Sequence, residues 1–190
     1  MDLRVARGEQ SKEVLRQSFI KLFKTREPEE ISVVELCRKA GVNRSTFYAH
    51  YQYMDQLILE VLLDNVADVC TGFARQLDLP LEDGGVERGV ISSYLSSFME
   101  NPTLRRFCTC SNNARYRELI IRAQVRISLG TVSDPELYYT AYFQNAGAFC
   151  CLLEWLANGR PVTDERLIEI IHEYSKNMYR FRTRFPEARQ

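Results

Sequence analysis

Apolar residues recur at three- and four-residue intervals along nearly all of this 190-residue chain. No stretch alternates strictly between apolar and polar side chains, the period that a half-buried strand imposes. A chain with this one rhythm has to bury its stripes helix against helix, so the expected fold is all-α. Breaks are few and chemically distinct. Val14, Ser18, Phe19, Leu22 and Phe23 share one face of a first helix over 11–26, ended by the Glu27-Pro28 step because proline disfavours a helical residue ahead of it. Ser32-Val33-Val34-Glu35 has the spacing of a capping box and predicts a second helix over 33–40, stopped by Gly41. Asn43 is placed to cap a third helix from Arg44 to about His50, and a fourth follows over about 55–77 on Leu57, Ile58, Val61, Leu62, Val66, Val69 and Phe73. After a break at 80–85, Val90, Ile91, Tyr94, Leu95, Phe98 and Met99 mark a fifth helix, 104–108 a short turn, and 115–128 a further helix ended by Gly130. Asp134-Pro135 opens a long helix over 135–158 with Gly159 as its stop. Thr163 caps the last helix, which carries Asp164 and Glu165 at its positive end and Arg180, Arg182 and Arg184 at its negative end.

Charge and cysteine usage narrow the function classes. Lysine plus arginine and aspartate plus glutamate are equal at 25 each, which argues against a protein that coats nucleic acid through bulk charge. Up to Gln52, however, basic side chains outnumber acidic ones, so the N-terminal part is mildly basic and the remainder mildly acidic. The longest apolar stretch, 146–157, contains Glu154 and falls short of the roughly 20 residues that cross a bilayer. No apolar run follows Arg4 and Arg7, so no secretory signal is expected and the chain is read as cytoplasmic, with no membrane partner. Cys37, Cys70, Cys108, Cys110, Cys150 and Cys151 lack the regular spacing of a disulfide framework and are read as reduced thiols. Cys108-x-Cys110, Cys150-Cys151 and His172 offer soft donors to a metal or redox sensor, but no C-x-x-C pair occurs, and neither a metal nor a cofactor is expected. With two histidines, no G-x-S-x-G, no phosphate-cradling glycine loop and no H-E-x-x-H, the chain is not expected to be an enzyme.

Between the two short capped helices, Ala40-Gly41-Val42 supplies a small residue for close helix approach, glycine for a left-handed turn and an apolar residue to bury beneath it. Phe47 and Tyr51 share a face and would anchor the third helix, leaving Arg44, Ser45, Tyr48 and His50 more exposed. Short polar and aromatic side chains suit base edges, thymine methyls and phosphates, and helix N-termini at Ser32 and Asn43 add phosphate affinity. The segment from Ile31 to Tyr51, with its Gly41-Val42 turn, Thr46-Phe47-Tyr48 core and His50-Tyr51 pair, resembles the TetR/AcrR family of bacterial transcriptional regulators over about 10–62. That resemblance implies a helix-turn-helix DNA-binding domain over 1–54 and a helical ligand-binding and dimerisation domain over 55–190. It implies Tyr48 and His50 as DNA-backbone contacts and Asn43, Arg44, Ser45 and Thr46 as the stretch that approaches bases. Arg4, Arg7 and Lys12 would form an arm along phosphates or the minor groove. Where the family has a small cap followed by a phosphate-binding lysine, this chain departs from the pattern with Gln52-Tyr53-Met54-Asp55, where the Tyr53 hydroxyl could donate instead.

Residues 138–157 followed by 163–185 resemble the last two helices of the family's C-terminal domain, which pair with their symmetry mates as a four-helix bundle. The spacing Phe143-x-x-x-Gly147-x-x-x-Cys151 with Trp155-x-x-x-Gly159 is similar to a Firmicutes-type subgroup. Ala141, Asn145, Ala148 and Leu152 make a stripe that allows close helix approach, and with Ile171, Tyr174 and Met178 they form the expected dimer interface. Two recognition helices roughly 34–36 Å apart read successive major grooves on one face of a palindromic duplex, so a homodimer on double-stranded DNA is expected. The resemblance also implies a pocket for a small-molecule effector, with Phe98, Tyr116, Tyr142, Phe149 and Trp155 as candidate lining and Arg115, Arg122 or Glu154 as polar anchors. The expected function is a dimeric, ligand-responsive transcriptional regulator, a repressor in preference to an activator. A DNA-bound adaptor whose C-terminal surface binds protein stays open beside it.

Overall fold

The computed structural model describes the backbone of residues 3–74, 86–130 and 134–183, with side chains over 8–70, 86–130 and 134–176. Its helices are α1 (Leu3–Phe23), α2 (Val33–Ala40), α3 (Arg44–His50), α4 (Met54–Ala74), α5 (Arg88–Glu100), α6 (Pro102–Phe107), α7 (Asn113–Leu129), α8 (Pro135–Ala157) and α9 (Asp164–Thr183), with a 3₁₀ turn at Pro28–Glu30. Among the described residues there is no strand, as the single helical rhythm of the sequence requires. The side chains of Arg4, Arg7, Phe73, Met178, Arg180, Arg182 and Arg184, the expected break at 80–85 and the end expected for the fourth helix lie outside the described residues.

Local chemistry explains where the boundaries depart from expectation. α1 starts at Leu3, well before Ser11, because Arg, Ala, Glu and Gln are good helix formers and one Gly8 costs only about 1 kcal/mol. It closes at Phe23, and Thr25 and Arg26 both donate to the Leu22 carbonyl as the chain turns toward Pro28. Ser32 Oγ accepts the Glu35 N–H at 3.2 Å, but the returning half of the capping box is replaced: the Glu35 carboxylate takes Arg26 Nη1 at 2.8 Å. Asn43 occupies the cap position of α3 in extended geometry without a side-chain capping bond. At the α5–α6 corner Asn101 Oδ1 accepts the Leu104 N–H at 2.8 Å and Pro102 takes the first position, which makes a capped helix of what the sequence offered as a short turn.

One continuous core runs from Leu15, Phe19 and Phe23 in α1, through Leu36, Phe47 and Tyr51, along Leu57, Val61 and Val66 of α4, to Phe98, Phe107, Ile120 and Phe149. α4 is the shared beam, packing on α1 and on α5, α6 and α7. Phe23 meets Phe107 with ring centroids 4.4 Å apart, an apolar bolt between α1 and α6. Each fully buried phenylalanine contributes roughly 1.5–3 kcal/mol relative to leaving it exposed. His172 Nδ1 lies 2.8 Å from the Val86 carbonyl, and Ser175 Oγ accepts the Val86 N–H at 2.9 Å, so α9 holds the lead-in to α5.

Candidate nucleic-acid interface

Gly41 sits at φ 66° and ψ 29°, the left-handed conformation that lets α2 stop and α3 start almost at once. A Cβ there would meet nothing within 4 Å, so the demand for glycine is conformational and not steric. Val42 donates its N–H to the Cys37 carbonyl at 3.1 Å, which closes the turn. α3 is then pressed down by Phe47 and Tyr51, 0% and 3% exposed, whose rings lie 5.6 Å apart.

The opposite side of α3 is open. Asn43, Arg44 and Ser45 are exposed, Thr46 is half-buried, and Tyr48 stands edge-on to Phe47 with half its surface in solvent. Ser32, at the N-terminus of α2, and Tyr53, ahead of α4, are exposed as well. Two expected DNA contacts are engaged within the protein. His50 is half-buried, with Nε2 2.7 Å from Ser11 Oγ, which ties the end of α3 to α1. Lys12 Nζ pairs with Glu60 at 2.9 Å and lies over the Tyr51 ring, so it faces α4 in place of extending an arm. Arg38 and Lys39, exposed on the last turn of α2 beside Gly41, were not singled out from the sequence. Their place opposite buried Leu36 and Cys37 in the helical period was the signal that could have found them.

Beneath this surface a polar cluster joins α1 to α4. Arg16 reaches Glu60 at 3.3 Å and also contacts Asp64. The Tyr51 hydroxyl is buried without a hydrogen-bond partner, and burial, then the nearby Glu60 charge, pushes its ionisation far upward. Burial also raises the Asp64 carboxyl, against the opposing pull of Arg16. Four cysteines are inert thiols for the same reason: burial pushes Cys70 and Cys108 up to about 12 and raises Cys37 and Cys110. Cys150 and Cys151 are exposed. Among the described residues no group of three or more His, Cys, Asp or Glu is arranged to hold a metal ion.

The five aromatic residues named as pocket lining belong to or pack against one core cluster, each with its own neighbours. Phe98 and Phe149 meet edge to face at 5.9 Å, next to a part-buried pair in which Gln124 Nε2 donates to the Tyr94 hydroxyl at 2.5 Å. Tyr116 lies against Phe107 at the junction with α1 and donates its hydroxyl to Glu29 at 3.3 Å. Tyr142 lies tilted against Tyr138 along α8, and Trp155 Nε1 donates to the Val162 carbonyl at 2.8 Å, fastening the α8–α9 corner. Of the polar anchors, Arg115 pairs with Asp55, Arg122 with Glu118, and Glu154 accepts from Asn158. An open cleft of about 300 Å³ lies elsewhere, between α4 and the α5–α6 corner, lined by Asn65, Asp68, Ser97, Glu100 and Thr103.

On α8, Leu152 is 2% exposed and points into the core, Ala141 and Ala148 are half-buried, and Asn145 donates to the Ala141 carbonyl. The outward face runs one strip over, through Tyr139 and Phe143, each 72% exposed, then Gly147, Cys150 and Cys151. On α9 Ile171 is half-buried and Tyr174 is 73% exposed.

Residues 20–61 match the model of the family described as bacterial regulatory proteins, tetR family. Among curated proteins no sequence match is found. A tetR-family transcriptional regulator from Streptomyces coelicolor is 18% identical, with 93% of this chain and 86% of that chain covered at a TM-score of 0.54. The TetR family repressor AlkX from a Dietzia species, implicated in biodegradation of n-alkanes, is 12% identical, covering 89% of this chain and 95% of that one at 0.55. NalD, the secondary repressor of the MexAB-OprM multidrug efflux pump in Pseudomonas aeruginosa, is 18% identical, covering 90% and 95% at 0.56. At such identities the likeness to the three solved proteins is one of fold. The chain thus carries, over residues 20–61, a segment that matches the tetR family of bacterial regulatory proteins, on an all-helical fold similar to that of solved TetR-family proteins.

Proposed function

We propose that this chain works as a homodimeric, sequence-specific repressor whose hold on a palindromic operator is altered by a small-molecule effector. The observation that carries the reading is α3, a short helix with Phe47 and Tyr51 buried on one side and Arg44, Ser45 and Tyr48 exposed on the other. Residues 1–54 then act as the DNA-binding head and 55–190 as the regulatory and dimerisation body. Asn43, Arg44, Ser45 and Thr46 approach base edges in the major groove, where an arginine fork can take guanine O6 and N7. Tyr48, Tyr53 and the α2 N-terminus at Ser32 hold phosphates and set the register, with His50 steadying the end of α3 through Ser11 and Arg38 and Lys39 adding positive charge alongside.

Dimerisation follows from surface chemistry and from DNA geometry. Tyr139, Phe143 and Tyr174 expose large rings on α8 and α9, an apolar strip of the kind that self-association covers, with Ala141, Asn145, Ala148 and Ile171 on its flank. An effector with an apolar body and one hydrogen-bonding group would match the chemistry of Phe98, Phe149 and the Tyr94–Gln124 pair if these part to admit it. Repression needs nothing beyond occupancy of a promoter, and AlkX and NalD are both named repressors. Such a protein acts in the cytoplasm, where the chromosome lies; no described helix is long and apolar enough to cross a membrane.

Light scattering at micromolar concentration tests the assembly: a dimer is expected, and a monomer would overturn the proposal. Arg44→Ala should cost about 1–3 kcal/mol on the preferred duplex and relax preference at one base position. An equal loss on random duplex would remove Arg44 from base reading.

A further inference from the structure

We infer that Glu27 and Arg106 set the half-site spacing that a dimer of this chain will accept, by fixing the rotation of each head on its body. The inference rests on the DNA-binding, dimeric reading above and concerns a contact that touches no DNA.

The loop 24–32 leads directly into α2, so whatever orients that loop orients the α2–α3 unit. Four donors from one corner of the body converge on two of its carboxylates. Arg106 Nη2 donates to Glu27 Oε1 at 2.5 Å, and the Ser111 N–H donates to Glu27 Oε2 at 2.7 Å, so both oxygens of Glu27 are held by the body. Asn112 Nδ2 and the Tyr116 hydroxyl donate to Glu29 Oε1 at 3.2 and 3.3 Å. The same Arg106 side chain donates to the Phe23 and Arg26 carbonyls at 3.4 and 3.5 Å, satisfying acceptors left over at the end of α1.

Beneath this clasp is the Phe23–Phe107 contact, which supplies burial without direction. Apolar rings can slide and turn with little loss, whereas a planar guanidinium fork and a carboxylate gripped at both oxygens resist rotation. Arg106 and Glu27 keep 28% and 29% of their side-chain surface in solvent, so the pair adds little to stability and its main effect is geometric. The head's other attachment lies along α1 and α4, through Lys12–Glu60 and Arg16–Glu60. The clasp adds directional bonds to a junction otherwise made of shared apolar core and these ion pairs. In a twofold dimer any head rotation acts twice on the separation of the two recognition helices, and that separation selects the distance between half-sites.

The test uses a duplex selected from random sequence by the wild-type full chain, and the same duplex with one base pair inserted or removed between half-sites. Fluorescence anisotropy gives affinities for wild type, Glu27→Gln, Arg106→Lys and Arg106→Ala, with thermal midpoints recorded alongside. In Glu27→Gln and Arg106→Ala the preference for the parent spacing should fall by about fivefold or more, and by less in Arg106→Lys, which keeps the charge but loses the fork. The penalty for a mismatched base within a half-site should stay as in wild type, a separation that general damage to the head would not produce. Spacing preferences identical to wild type, or a common loss on every duplex, would overturn the role of the clasp while leaving the DNA-binding reading intact. If the wild type itself bound no selected duplex, the failure would belong to that underlying reading.

Discussion

The helix-turn-helix unit and the outward face of α8 both leave side chains open to solvent, yet they are built in opposite ways. In the head α3 has a buried and an open side: Phe47 and Tyr51 fix the helix, and Arg44, Ser45 and Tyr48 face out because those two face in. α8 is apolar on both sides, with Phe149 and Leu152 inside and Tyr139 and Phe143 outside. An amphipathic helix declares its orientation, while a helix apolar all round declares only that something covers it.

Removing the anchor of the head should have the largest effect. Phe47→Ala should cost about 3–5 kcal/mol and abolish DNA binding, read by urea unfolding and anisotropy; a loss under about 1 kcal/mol would mean that α3 is held by something other than its aromatic face. The two sides of α8 should separate next. Leu152→Ala should destabilise the protomer by about 2–5 kcal/mol. Phe143→Ser should leave the protomer within about 0.5 kcal/mol of wild type and weaken the dimer by about 2 kcal/mol or more, measured by sedimentation equilibrium. The comparison breaks if these two substitutions exchange effects. Smaller again is Gly41→Ala, which forces a Cβ into the left-handed region at roughly 1–2 kcal/mol, with no clash to add; a stabilised protein would show that the turn relaxes.

The smallest effect is a titration. The Ser111 N–H, then Arg106, hold the Glu27 carboxyl below the usual glutamate range. Because the folded value is the lower one, this contribution is present above the unfolded glutamate value and is lost as pH falls through the folded one, so the clasp loosens in acid. Carboxyl chemical shifts should place Glu27 higher in Arg106→Ala than in wild type, and equal values would remove Arg106 from the contact.

What could be read in the sequence follows the same division. α2 and α3 came out at their expected bounds because Ser32, Gly41 and Asn43 mark the ends within a few residues of the helices they limit. Sequence spacing also fixed Phe47 and Tyr51 on one buried face. Partners distant in the chain were not legible: Ser11 on His50, Glu60 on Lys12 and Arg106 on Glu27 depend on how α1, α4 and α6 are stacked. Nor were the partners of the aromatics, since helical spacing shows that Tyr116 and Trp155 are covered but not which neighbour covers them.

The central claim is that α3 seats the chain on DNA through a largely electrostatic contact in which Tyr48 holds the backbone. Binding of the full chain to a duplex selected from its own genome, measured across a salt series for wild type and Tyr48→Ala, tests it most directly. The account predicts wild-type affinity that falls linearly on logarithmic axes as salt rises, and weaker binding to every sequence for Tyr48→Ala. Salt-independent binding, or no affinity for any genomic fragment, would contradict it.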